Sequence, residues 1–220
     1  MTRSTFLLPW LSTIALISGL LGTDTARAAA PSPARLVARL AQPVPSQTPF
    51  VEVRQSPMLK QALQVSGTYR RPDTATLVRQ VQQPYQETST IAAGQVRVQR
   101  AGRSERVFAI SRAPELASLQ DSFAALLAGD LATLEKAFTL RSLGNDGQWQ
   151  LQLTPRAPAV AARLRQLVLH GSGGDLRCIE TQPVQGQVQR TLVGGTAQAA
   201  LAEGVVDGQA LQALCQGAAS

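Results

Sequence analysis

Residues 148–155 read QWQLQLTP, so that Trp149, Leu151 and Leu153 alternate with polar side chains. A period of two places successive side chains on opposite faces of a β-strand. The same alternation runs through residues 50–110, for example in FVEVR at 50–54 and QVRVQ at 95–99. Strands with one apolar and one polar face are typical of antiparallel sheets and disfavour a parallel α/β sheet. We therefore predict a large antiparallel sheet.

Helical periodicity interrupts the strands between residues 114 and 138. From Pro114 to Ala128 the apolar side chains recur at helical spacing, which predicts an amphipathic helix that ends at Gly129. Asp130 is placed to cap a second short helix. Helices are also predicted at 35–40 and 196–216. The predicted order is a helix, about six strands, a helical insertion, about five strands and a final helix, in one domain covering residues 29–220.

A sheet of about eleven strands tends to curl or close. The side chains of a barrel this wide do not fill its interior. Aromatic residues make up only 4% of the chain, so the core must be aliphatic. The enclosed space then holds either an apolar cavity covered by the 114–128 helix or a fully packed core. The residues alone leave both alternatives open.

Residues 1–28 have the three parts of a secretory signal peptide. Arg3 provides a positive start, residues 6–21 are mostly apolar, and Ala26-Arg27-Ala28 is a small-x-small cleavage site. We expect export across the inner membrane and cleavage after Ala28.

Cys178 and Cys215 are the only cysteines of the chain. In an oxidising compartment two cysteines usually pair, so we expect a disulfide between them. Their wide separation in the sequence excludes a C-x-x-C redox motif and a metal-binding pair, and we expect no metal site.

Features of catalysis are missing from the sequence. His170 is the only histidine, and it follows an apolar run beside a turn, so we expect it at the surface. There is no G-x-S-x-G stretch, and the carboxylates are scattered along predicted strands. We expect no catalytic residue and no cofactor. The net charge of +7 comes mostly from scattered arginines, and we expect no nucleic-acid partner for an exported protein.

The layout resembles the LolA-like outer-membrane lipoprotein carriers, as a divergent branch. The likeness covers nearly the whole mature chain and depends on the order and spacing of several short stretches. These are FVEVR at 50–54, GTYRRP at 67–72, QPYQE at 83–87, TIAAG at 90–94, WQLQLTP at 149–155 and LRC at 176–178.

This resemblance implies a mainly β (α+β) fold, an incomplete antiparallel β-barrel of about eleven strands with an α-helical lid. It implies a periplasmic carrier, expected to be a monomer, that shields acyl chains of a lipoprotein or lipid on the way to the outer membrane. Its implied partners are the acylated cargo, an inner-membrane donor and an outer-membrane acceptor. Arg71-Pro72 matches an Arg-Pro pair whose arginine fastens the lid in typical carriers. The aromatic residue that commonly follows that pair is absent, which leaves the cargo open.

From the alternation we expect one set of side chains to line the acyl-binding face and another to close over it from the helix. The lining residues are Val51, Val53, Leu63, Val65, Val96, Val98, Leu151 and Leu153, and the covering residues are Phe123, Leu126 and Leu127. The alternative function is a non-transporting periplasmic interaction or sensor module with a filled core.

The signal peptide gives a direct prediction. We expect the exported protein to begin at Ala29, because small residues at positions 26 and 28 suit the signal peptidase. Intact-mass measurement of protein from the periplasm checks this, and retention of residues 1–28 would contradict it.

Overall fold

The computed structural model describes residues 30–54, 62–110, 124–204 and 207–217, which form one eleven-stranded antiparallel sheet and several helices. The strands are β1 Ser46–Arg54, β2 Leu63–Arg71, β3 Leu77–Gln83, β4 Glu87–Ala92, β5 Gln95–Arg100, β6 Arg106–Ala109, β7 Phe138–Asn145, β8 Gln148–Pro155, β9 Leu164–Ser172, β10 Asp175–Pro183 and β11 Gln189–Val193. The helices are α1 Pro33–Leu40, α2 at 124–128, α3 Leu131–Ala137, α4 Pro158–Ala161, α5 Gly194–Glu203 and α6 Gly208–Gln216.

The sheet consists of two meanders joined edge to edge. Strands β1–β6 pair with their neighbours in sequence, as do β7–β11, and β1 pairs with β11. At this junction Phe50 lies opposite Val193 and Val51 opposite Leu192. Strands β6 and β7 form the two edges, so the sheet is open. The predicted mainly β fold with an incomplete sheet of eleven strands is confirmed.

Local sequence signals explain where the helices begin and end. The Ser32 hydroxyl accepts a hydrogen bond from the Arg35 amide ahead of α1, and Asp130 and Asp207 cap α3 and α6 in the same way. Gly204 ends α5 with a left-handed φ of 69°, which glycine adopts without a Cβ clash. The C-terminal region is therefore two helices rather than the single helix predicted over 196–216.

Helices cover both faces of the sheet. The inner face carries Phe50, Val65 and Leu151, and it packs with α1, α3 and Leu126 of α2 in one large apolar cluster. The outer face carries Val51, Cys178 and Leu192, and helices α5 and α6 pack on it in a second apolar cluster. Because both faces are covered, adjacent residues such as Phe50 and Val51 are buried on opposite sides of the same strand.

A disulfide links the outer face to α6. Cys178 of β10 and Cys215 of α6 are bonded, with their Cα atoms 5.1 Å apart, as the sequence predicted. Both residues are buried. The bond holds the last helix against the strand that pairs with β11.

His170 also lies on the outer face, and the prediction of a surface histidine is wrong. It is only 6% exposed and is the register partner of Cys178. Burial lowers the pKa of His170, although the nearby Glu180 carboxylate acts in the opposite direction. The prediction failed because the helix that covers this strand end comes from a distant part of the chain.

The disulfide gives a stability prediction. Replacing both cysteines by alanine removes the crosslink, and a closed loop of this length is worth about 3–4 kcal/mol in the chain-entropy model. We expect the free energy of unfolding in urea to fall by about that amount under oxidising conditions. Reduction of the native protein should produce the same loss, and equal stability of the native and double-alanine proteins would contradict the prediction.

Candidate ligand-binding cavity

A cavity of about 410 Å³ opens at one end of the inner face. Its walls are the ends of β1, β2 and β3, the residue Leu127 of α2, the start of β10 and the junction between β11 and α5. The lining residues are Gln42, Ser46, Thr48, Tyr69, Arg71, Leu77, Leu127, Val193, Thr196 and the segments 174–177 and 194–195.

The lining combines apolar side chains with polar ones. Leu77, Leu127, Leu176 and Val193 give the cavity an apolar side. Serine, threonine, aspartate and arginine side chains and the glycine-rich turns give it a polar side. A mixed lining of this kind suits an amphipathic ligand, because polar groups fix the orientation of a mostly apolar molecule.

Arg71 connects the strands to the helices above the cavity. Its Nη1 atom donates to the carbonyl oxygen of Gln42 at 3.4 Å and to that of Leu127 at 3.5 Å. The backbone amide of Gln42 also donates to the Leu127 carbonyl oxygen, at 2.9 Å. Arg71 is only 5% exposed. Carbonyls at the end of a helix lack intrahelical partners, and a guanidinium satisfies more than one of them.

The sequence matches the family described as outer membrane lipoprotein carrier protein LolA-like over residues 25–218. The chain belongs to this family. The expected LolA-like resemblance is thereby confirmed over almost the whole chain. Among the curated proteins, none matches the sequence.

The crystal structure of a LolA superfamily protein from Nitrosomonas europaea is similar with a TM-score of 0.37 and 15% sequence identity. The match covers 71% of this chain and 73% of that one. Within the part of this LolA-like chain that the structure describes, the helices are too short or too polar to cross a membrane.

Val51 and Val53 do not lie where the sequence analysis placed them. Both pack in the outer cluster under α5 and α6, whereas Phe50 and Glu52 face inward. The prediction that the two valines share a face with Val65 is wrong. The alternation of β1 was correct, but it could not tell which face is the inner one, because helices cover both.

The inward carboxylate of Glu52 forms part of a charged network that the sequence analysis did not identify. Arg79 and Arg54 contact Glu52 at 2.6 and 2.7 Å. The Arg79 guanidinium also lies 4.6 Å from the centre of the Phe50 ring, which packs 4.7 Å from the ring of Tyr69. Burial raises the pKa of the Tyr69 phenol. The inner face of β1–β3 is therefore polar beside the cavity.

The other predicted lining residues occupy the inner face but not the cavity. Leu151 and Leu153 are fully covered within the inner cluster, where Val65 is also buried and Leu63 packs at the margin. Val96 is buried, and the register of β3–β5 places it with Val98 on the same face. These residues belong to the sheet and its apolar core, and the lining of the described cavity does not include them.

The three predicted covering residues have different positions. Leu126 packs in the inner cluster, and Leu127 lines the cavity. Phe123 and residues 114–122 of the predicted lid helix lie outside the described residues. Leu127 is thus the predicted acyl-contacting residue that the structure places at the cavity, and Arg71 is the predicted latch residue beside it.

A substitution of Arg71 tests whether it holds α2. We expect Arg71→Leu to speed amide hydrogen exchange in residues 124–128 and at Gln42, because the Leu127 carbonyl keeps only the Gln42 amide as its partner. A net hydrogen bond to a charged donor is worth about 1.5–3 kcal/mol, so an increase in local exchange of roughly ten- to hundredfold is expected. The exposed neighbour Arg70 provides the matched control Arg70→Leu. Equal exchange in the two variants would show that Arg71 does not hold the helix.

Proposed function

We propose that this protein is a periplasmic carrier that binds acyl chains of a lipoprotein or lipid and delivers them toward the outer membrane. The cavity between the inner face and α2 supports this function, together with membership of the LolA-like family. The cavity volume of about 410 Å³ lies in the range of small-molecule sites, about 300–1,000 Å³.

A carrier must release its cargo as well as bind it. The closed and open arrangements then differ by only a few kcal/mol, so that the cargo itself shifts the balance between them. The contacts of α2 suit this requirement: Leu126 packs on the inner cluster, and the Leu127 carbonyl accepts hydrogen bonds from Gln42 and Arg71. Few bonds must break when residues 124–128 move away from the cavity.

Cargo longer than the cavity needs additional space on the inner face. That space is filled by helical side chains such as Leu36 of α1 and Leu134 of α3, which pack with Leu151. In the carrier we propose, these helices move with α2 and uncover the aliphatic strand residues for the acyl chain. The burial of apolar cargo surface, worth about 25 cal/mol per Å², offsets the loss of these contacts.

The same packing favours a second candidate function. A fully covered Leu151 is what an interaction or sensor module with a filled core requires, and such a protein would act through its surface without enclosing a ligand. The two functions differ in whether the apolar interior opens to an acyl chain.

Binding of a fluorescent fatty-acyl probe separates the two. We expect the purified protein to bind the probe, and we expect Leu77→Trp to weaken binding about tenfold, or 1.4 kcal/mol, because the larger ring fills the apolar side of the cavity. Leu201 is 41% exposed on α5, and Leu201→Trp is the matched control that should bind normally.

The outcomes are distinct. Probe binding that is weakened in Leu77→Trp and kept in the control supports the carrier. Absence of binding to the native protein contradicts the carrier and favours the interaction module. Equal binding by the two variants would place the acyl site elsewhere on the molecule.

The inner-membrane donor and the outer-membrane acceptor belong to the same proposal, and delivery of bound probe to outer-membrane but not inner-membrane vesicles tests them.

A further inference from the structure

Three side chains with metal-binding chemistry meet on the outer face, one each from β9, β10 and α6. One ring nitrogen of His170, a carboxylate oxygen of Glu180 and the sulfur of Cys215 all lie within 4.8 Å of one another. The sulfur of Cys178 is bonded to that of Cys215 and so lies directly beside this group. The wide separation of the two cysteines in the sequence predicted no metal site, but the pairing of β9 with β10 and the packing of α6 bring Cys215 close to the only histidine of the sequence.

The surroundings of His170 point to a missing ligand. The residue is 6% exposed, and its Nε2 atom has no hydrogen-bond partner among the residues that the structure describes. A buried polar nitrogen without a partner costs about 1–3 kcal/mol, so a structure that keeps one calls for an explanation. A metal ion bound to the ring through Nε2 would satisfy this atom.

The carboxylate of Glu180 is already oriented. It accepts hydrogen bonds from Arg190 Nε at 2.8 Å and from Gln182 Nε2 at 2.6 Å. A side chain that is already oriented by hydrogen bonds to other residues binds a metal ion more tightly than a freely rotating one, because it loses less conformational freedom on binding. Glu180 is only 7% exposed, so the group lies away from bulk water.

We propose that reduction of the Cys178–Cys215 disulfide creates a zinc site formed by the two cysteines, His170 and Glu180. The reductant is a dithiol: it transfers two electrons and two protons to the disulfide, giving two thiols, and is itself oxidised to a cyclic disulfide. Binding of Zn²⁺ then releases two protons as the thiols become thiolates. The neutral imidazole of His170 is the third ligand and the Glu180 carboxylate the fourth.

The geometry and the donor set fit Zn²⁺. Ligand bonds of 2.0–2.3 Å around a tetrahedral ion place the ligand atoms about 3.3–3.8 Å apart. The atoms of His170, Glu180 and Cys215 lie within 4.8 Å of one another, so they must contract by at most about 1.5 Å, while the two sulfurs must separate. Two thiolates and an imidazole select zinc and similar soft ions over Mg²⁺ or Ca²⁺. The ion would replace the disulfide as the link between β10 and α6, so that the outer face stays fixed in both redox states.

Cobalt spectroscopy tests the site directly. The protein is prepared without a polyhistidine tag, reduced with a dithiol, freed of reductant without air and titrated with Co²⁺. We expect one ion per chain, a thiolate-to-cobalt charge-transfer band, the intense visible bands of tetrahedral Co²⁺, and stoichiometric displacement by Zn²⁺. The oxidised protein should show none of these signals.

His170→Gln is the diagnostic variant. Loss of outer-sphere contacts alone costs 10–100-fold in metal affinity, so loss of this ligand should weaken Co²⁺ binding at least about 100-fold. Gln166→Ala, on the same strand, is the control that should bind normally. Equal affinity in the oxidised and reduced proteins, or in His170→Gln and the control, would overturn the proposal.

Thermal unfolding provides a second test that still applies when reduction destabilises the folded protein. An ion that binds the folded state raises the melting temperature in proportion to the logarithm of its concentration. We expect Zn²⁺ to raise the melting temperature of the reduced native protein and not that of reduced His170→Gln. A fall in melting temperature would show that Zn²⁺ binds the unfolded chain instead, and the proposed site would be wrong.

Discussion

The pairing of β1 with β11 unites the two halves of the sheet. Within each meander the paired strands are neighbours in the chain. At the junction, by contrast, Phe50 pairs with Val193, which is distant from it in the sequence. At this junction both faces are buried, because Phe50 packs in the inner cluster and Val51 in the outer one. The junction also places the start of α5 beside β1 and β2, where it forms one wall of the cavity. The cavity therefore depends on one long-range strand pair.

Period-two alternation was enough to predict the sheet, since it reports backbone geometry directly. The approximate number of strands and their antiparallel pairing followed from it, whereas the helical interruption was predicted from the change to helical spacing. The assignment of faces did not, as Val51 and Glu52 illustrate. Alternation shows that two faces differ, but helices from residues 194–216 cover the outer face, and no local pattern in β1 indicates that distant segment. The same distant cover explains why His170 is buried.

The cavity was harder to predict than the fold for a related reason. Much of its wall consists of turn backbone and short polar side chains, such as Ser46 and Thr196, which carry no periodic signal. Arg71 was identified through the family resemblance, since one arginine beside another has no distinguishing mark in the sequence. Leu127 was found because the helical spacing that predicts a covering helix also predicts its apolar face. Apolar residues selected by alternation alone belong mainly to the packed core.

The two faces of the sheet differ in how strongly their helices are held. On the outer face, α6 is linked to β10 by the Cys178–Cys215 bond, and Arg190 pairs with the buried Glu180 beside it. On the inner face, α2 is attached by apolar packing and by hydrogen bonds to one carbonyl, with Arg71 at the long end of bonding distance. Local opening requires the least free energy where few contacts cross between elements. In the carrier that we propose, a ligand that enters beneath α2 displaces inner contacts while the outer face keeps the strands in register. A fold that binds and releases cargo needs this asymmetry, because an interior that opened by unfolding the sheet would lose the surface on which the cargo rests.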